Sequence, residues 1–151
     1  MKKKCIVCDI DGVIFDTAEL LQKFESLPEA EKWNQFNLHA TRLEVNVSFD
    51  LIDIIEAYAE KHRATVAFVT ARSDVIYSKT LRQLLHYFNK TRICNCGLYM
   101  RKEGDTSSAA DVKEEILEQL EKEFDIVLAI DDEKENCEMF KRHGILTMQV
   151  C

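Results

Sequence analysis

In Lys4-Cys5-Ile6-Val7-Cys8-Asp9-Ile10-Asp11-Gly12-Val13, Lys4 to Cys8 is a short β-rich run that ends at two carboxylates, Asp9 and Asp11. An uninterrupted apolar stretch of this length reads as a strand buried on both faces. Gly12 then frees the backbone for a sharp turn. Two acids two residues apart repel, and they ionise together only with a cation or proton between them. A divalent ion meets that need, and hard oxygen ligands beside phosphate oxygens favour magnesium, with Asp9 and Asp11 as ligands. So held, Asp9 can stay ionised and attack phosphorus, while Asp11 can give a proton to the leaving oxygen and later take one from water. The competing readings of Asp-x-Asp-Gly are a calcium loop and a solvated turn. The calcium loop fails because Val13, Ile14 and Phe15 stand where it continues with oxygen ligands.

Working outward, Ala64 to Thr70, Ile126 to Ile130 and Ile145 to Val150 read as further strands, with a short one at Leu98 to Met100. Between them, Leu51, Ile52, Ile55, Tyr58 and Ala59 share one helical face, as do Val112, Ile116, Leu117, Leu120 and Phe124. Gly144 marks a helix stop. Alternating strands and helices imply an α/β fold with a central parallel sheet in three layers. Such sheets bind ligands beyond the carboxyl ends of their strands, which predicts where polar residues should gather. Asp9 and Asp11 follow the first strand, Thr70 and Arg72 the second, and Asp131 and Asp132 the third.

Thr70 can hydrogen-bond a phosphoryl oxygen together with backbone N–H groups of the following helix. Arg72 can add a positive fork, and Ser73 can cap the helix. Lys113 is expected in the first turn of a helix, where a cation opposes the macrodipole unless an anion offsets it. A solvated lysine is the alternative. Adjacent acids after a buried strand need a partner or a metal. Asp131 reads as a direct magnesium ligand and Asp132 as one acting through water, or the reverse, and helix capping competes for Asp132.

At 151 residues the chain is expected to form one domain over 1–151. Within it, residues 15–46 read as a small helical insert near the mouth of the site. Phe15 to Phe24 is expected to be helical, Pro28 breaks it, and Glu29 to Leu43 forms a second helix carrying Trp33 and Phe36. A lysine-rich start that soon meets Asp9 and Asp11 predicts neither signal peptide nor membrane span, hence a cytoplasmic protein. Cys5 and Cys8 should point to opposite faces of their strand, and Cys94 and Cys96 are too closely spaced for an ordinary zinc site. Buried thiols are the simpler reading. The formal net charge of −7 argues against a long nucleic-acid footprint, which needs a cationic track.

The order Asp-x-Asp-Gly-Val (residues 9–13), Val-Thr-Ala-Arg (69–72), a helix lysine and Ala-Ile-Asp-Asp (129–132) resembles the four motifs of the haloacid dehalogenase superfamily. The resemblance implies a Rossmann-like fold with a small helical cap, Asp9 as nucleophile, Asp11 as acid/base, Thr70 as phosphate binder and Lys113 as charge clamp. It also implies magnesium at Asp131 and Asp132 and an aspartyl-phosphate intermediate. The second aspartate favours the phosphatase branch. Residues 101–106, 112–116 and 124–132 look like the 3′-phosphatase domain of bacteriophage polynucleotide kinase, which implies that Arg72 and Arg101 contact the phosphate or a nucleic-acid end. The likeness departs at Ala109, where an aspartate is expected and Asp111 is the nearby substitute. It also departs in lacking an arginine soon after the nucleophile. The reading that follows is a phosphomonoesterase acting on 3′-phosphate ends of polynucleotides. Against it stand a small-molecule nucleotidase and, from another class, a binding or regulatory module on the same fold that has lost turnover.

Overall fold

The computed structural model describes residues 1–42, 45–88 and 97–151. Five parallel strands form its sheet: β1 (Lys3–Cys8), β4 (Thr65–Ser73), β5 (Leu98–Arg101), β6 (Phe124–Asp131) and β7 (Thr147–Gln149), in the order β5-β4-β1-β6-β7. The order reverses at β1, so its carboxyl end, flanked by β4 and β6, opens the crevice where parallel sheets take their ligands. Between the strands lie helices α3 (Phe49–His62), α4 (Tyr77–Tyr87), α5 (Ala109–Glu123) and α6 (Lys134–Arg142).

Period-2 alternation along the strands divides the core between the two faces. Ile6, Cys8, Val66, Phe68, Leu128 and Ile130 pack with Leu51, Ile52 and Ile55 of α3 and Leu84 of α4. Cys5, Val7, Ala67, Val69 and Ala129 pack with Leu117 and Leu120 of α5 and Met139 and Phe140 of α6. Cys5 and Cys8 therefore lie on opposite faces, as their odd offset requires. Cys94 and Cys96, and the Leu43 end of the expected insert helix, fall outside the described residues.

Several boundaries differ from expectation. β4 runs on to Ser73 rather than stopping at Thr70, with its pairing to β5 shifting register between Thr70 and Ser73. Phe124 ends α5 but opens β6, because it turns extended at the helix terminus. The last strand is confined to Thr147–Gln149. In the 15–46 segment, Phe15 does not start a helix. Phe15–Asp16 forms β2, paired antiparallel with β3 (Asn46–Val47), and the helices are α1 (Ala18–Lys23) and α2 (Glu29–Ala40). The reason is burial: Phe15 of this ribbon points into the core, with its partner Val47 packed against the same cluster. Phe36 of α2 is buried while Trp33 stays exposed.

Gly144 does end α6. Its φ of +74° lies in the left-handed region, and the amides of Gly144 and Ile145 bond back to the carbonyls of Lys141 and Phe140, the Schellman arrangement. Just before it, His143 presents Nε2 to Glu114 at 2.9 Å and Nδ1 to Glu121 at 3.3 Å, both on α5. Only the imidazolium donates from both nitrogens. Hydrogen bonding to Glu114 raises the His143 pKa above 6.5, burial works against it, and Glu121 adds to the rise. The contribution of the α5–α6 tie is therefore complete below the unfolded value of about 6.5 and is lost as pH rises through the higher folded value. The melting-temperature advantage of wild type over His143→Gln should accordingly shrink between about pH 6 and about pH 9, as followed by circular dichroism. A constant difference would show that the charge does not matter.

Candidate active site

Three adjacent strands deliver the site. Asp9 follows β1, Thr70 lies near the end of β4 and Asp131 closes β6. All three are buried, and the Asp9 amide bonds to the Ile130 carbonyl at 2.9 Å, which fixes the two acidic ends relative to each other. Carboxylate oxygens of Asp9, Asp131 and Asp132 lie within 4.8 Å of one another. Asp11 is not among them, since its carboxylate turns to Arg72. Of the four acids expected at the metal, three thus converge through their side chains.

Burial pushes the Asp9 carboxyl well above its ordinary range; Lys113 opposes that rise, and the charges of Asp131 and Asp11 add to it. Burial also raises Asp132, and the neighbouring charge of Asp131 adds to the rise. Carboxyl groups in that relation need a proton or a cation between them. The donor set fits a hard divalent cation: three carboxylates, with no sulfur or imidazole ligand in the cluster among the described residues.

Lys113 supplies the organic countercharge. Its Nζ lies 2.6 Å from Asp131 Oδ2 and 3.1 Å from Asp9 Oδ1. Burial disfavours its charge, yet Asp9 and Asp131 outweigh that and raise its pKa. α5 begins at Ala109, capped by Ser108, so Lys113 lies in the second turn rather than the first. Its carboxylate partners, not the macrodipole, account for its place. Asp131 Oδ1 accepts from the Glu133 amide and from Asn136 Nδ2, both at 3.0 Å. That makes Asp131, not Asp132, the acid that ties down the start of α6. Asn136 Oδ1 is buried without a partner among the described residues.

Thr70 is buried and its Oγ1 accepts from the Arg72 amide at 3.1 Å, so its hydroxyl proton stays available to another acceptor. Arg72 is committed within the protein. Nε and Nη2 grip Asp11 at 2.8 and 2.6 Å, Nη1 donates to Gln83 Oε1 at 2.9 Å and Thr80 Oγ1 at 3.4 Å, and Nη2 also reaches the Ala40 carbonyl at 3.4 Å. Gln83 Nε2 bonds that same carbonyl at 2.9 Å. A guanidinium has five N–H donors, and all five find partners here. Arg72 thereby joins Asp11, α4 and the end of α2. Arg101 is likewise engaged by backbone, donating to the carbonyls of Ala71 at 3.0 Å, Asp105 at 3.1 Å and Ser107 at 2.5 Å. It fastens the loop before α5 to the strand bearing Thr70. Asp111 is exposed at the start of α5. Thr80, Gln83, Ala40 and Asn136 escaped the sequence reading. The one available signal was polar residues on the inward face of the helix after Arg72.

The polynucleotide kinase PNKP phosphatase-domain model matches residues 3–151. The chain belongs to that family. A PNKP-type phosphatase domain is a hydrolase of the haloacid dehalogenase kind, and divalent metal use is general among such enzymes. Among solved structures, a Pnkp1/Rnl/Hen1 complex aligns with TM-score 0.71 and 17% identity over 99% of this chain and 46% of that one. A class C acid phosphatase from Bacillus anthracis aligns with TM-score 0.60 and 18% identity over 89% of this chain and 53% of that one. A haloacid dehalogenase-like hydrolase from Streptococcus pneumoniae gives TM-score 0.63 and 13% identity over 97% and 84%. These likenesses speak for the fold. The chain spans under half the length of the Pnkp1 chain that it matches. No curated protein matches the sequence. Among the described residues no helix is long and apolar enough to cross a membrane.

Two substitutions test this PNKP-type site. At Gly12, φ is +76° and an added Cβ would lie 2.1 Å from Asp132 Oδ2. Gly12→Ala should weaken divalent-cation binding in a calorimetric titration by displacing Asp132, and should cost about 1 kcal/mol in backbone strain. Arg72→Lys keeps the charge but offers three donors for five partners, so urea unfolding should show a loss of about 2 kcal/mol.

Proposed function

We propose that this domain is a magnesium-dependent phosphomonoesterase that works through an aspartyl-phosphate and removes 3′-phosphates from polynucleotide ends. The observation that carries the reading is the cluster itself: buried Asp9 and Asp131 with half-buried Asp132, their carboxylate oxygens within 4.8 Å of one another, held against Lys113 at the crevice where β4, β1 and β6 end. Asp9 is the nucleophile: Lys113 beside its Oδ1 favours the ionised form that attack requires, whereas Asp131 is tied down by Lys113, the Glu133 amide and Asn136. Asp9, Asp131 and Asp132 would hold magnesium by their side chains, and Asp11 completes the acidic set expected there. When bound, the ion supplies charge neutralisation for the nucleophile and the phosphoryl oxygens.

Asp9 attacks phosphorus and the P–O bond to the leaving alcohol breaks, with Asp11 giving the leaving oxygen its proton. Water then attacks the phosphorus of the aspartyl-phosphate, Asp11 takes the proton back, and Asp9 is released with inorganic phosphate. Thr70 donates its hydroxyl proton to a phosphoryl oxygen, and Lys113 offsets the negative charge that gathers. Arg72 serves by fixing Asp11, and Arg101 by holding the loop beside Thr70. Family membership supports a polynucleotide end as substrate, as does a cap of only two short helices, which leaves room for a bulky end.

Asp9→Asn should abolish release of phosphate from a generic aryl phosphate in magnesium, with the fold retained by circular dichroism; an active Asp9→Asn protein would refute the nucleophile. Among natural substrates, a 3′-phosphorylated oligonucleotide should surpass both its 5′-phosphorylated isomer and mononucleotides in kcat/KM. Preference for mononucleotides would instead make the domain a nucleotidase.

A further inference from the structure

Acids outnumber Lys and Arg by 27 to 20 in this chain, yet between Asp74 and Glu103 not one acid occurs, while Lys79, Arg82, Lys90, Arg92, Arg101 and Lys102 all fall there. α4 lies within this stretch. Thr80, Gln83 and Leu84 form its buried side, and Lys79, Arg82 and His86 are exposed. Spacings of three and four residues put these three on one outward strip, roughly 10 Å long from Lys79 to His86. Neither Lys79 nor Arg82 has an ion-pair partner among the described residues. The strip begins beside the site. Gln83, four residues after Lys79 and three before His86, reaches Arg72 and through it Asp11.

We propose that the exposed strip of Lys79, Arg82 and His86 on α4 is the docking surface for the single strand that leads to the phosphorylated end. This rests on the polynucleotide reading above and adds where the strand lies. The charge is complementary to a phosphodiester backbone, and it is local: a few contacts on an otherwise acidic molecule suit a strand end, not a long duplex. Such contacts position the substrate without reading its bases.

The test compares wild type with the Lys79→Ala/Arg82→Ala double variant on three substrates: a 3′-phosphorylated single-stranded oligonucleotide, a nucleoside 3′-monophosphate and an aryl phosphate. The double variant should lose on the order of tenfold in kcat/KM for the oligonucleotide with kcat unchanged, and its dependence of log kcat/KM on log salt should flatten by about 1.4. Turnover of the two small substrates should stay at the wild-type level. Wild-type behaviour of the double variant on the oligonucleotide overturns the surface and leaves the phosphatase reading standing, including the case where this strip serves an acidic protein. An equal loss on all three substrates overturns it too, since a free aryl phosphate does not reach α4. If wild type hydrolyses the aryl phosphate but no oligonucleotide, the polynucleotide reading fails and the docking surface with it.

Discussion

Two buried carboxylates and a half-buried third meet at one edge of a parallel sheet, and among the described residues Lys113 is the cation held between Asp9 and Asp131. That electrostatic knot is what the rest of the molecule is arranged around. Removing ions from water costs several kcal/mol each unless they are paired with good geometry. Here the pairing is enforced by strands whose apolar runs end together, with the Asp9 amide on the Ile130 carbonyl and Asp131 fastened from the Glu133 amide and Asn136. The packing on both faces of the sheet keeps the knot from relaxing, and the excess negative charge makes room for a hard cation.

Around this centre, two arginines act by restraint. Arg72 locks Asp11 against α4 and α2, and Arg101 locks the β5–α5 loop against the Thr70 strand. The sequence predicts a positive fork from Arg72 toward a substrate, and the resemblance implies phosphate or strand-end contact for Arg72 and Arg101. In the structure both guanidinium groups have partners inside the protein, which holds Asp11 and the β5–α5 loop in place. The carboxylates gather around Lys113 at the sheet edge, and the guanidinium groups hold the surrounding frame.

The sequence disclosed what depends on local pattern. Cys5 to Cys8, Val66 to Val69 and Leu128 to Ile130 are apolar runs, and the polar residues directly after them had to fall at one end of the sheet. That logic placed Asp9, Thr70 and Asp131 together. It could not see Thr80 and Gln83, which lie eight and eleven residues beyond Arg72 and reveal themselves only once the phase of α4 is known. Nor could it see β2 and β3, since a strand of two residues has no period. Lys113 was identified, but one turn too early, because Ser108 rather than a later residue caps α5.

The tie between the insert and Asp11 runs through the carbonyl of Ala40. A main-chain atom has no side-chain identity to conserve, so evolution can rewrite the outward faces of α1 and α2 while this anchor persists. The hold on Asp11 is thus indifferent to which side chain stands at position 40, because the anchoring atom is one that every amino acid carries.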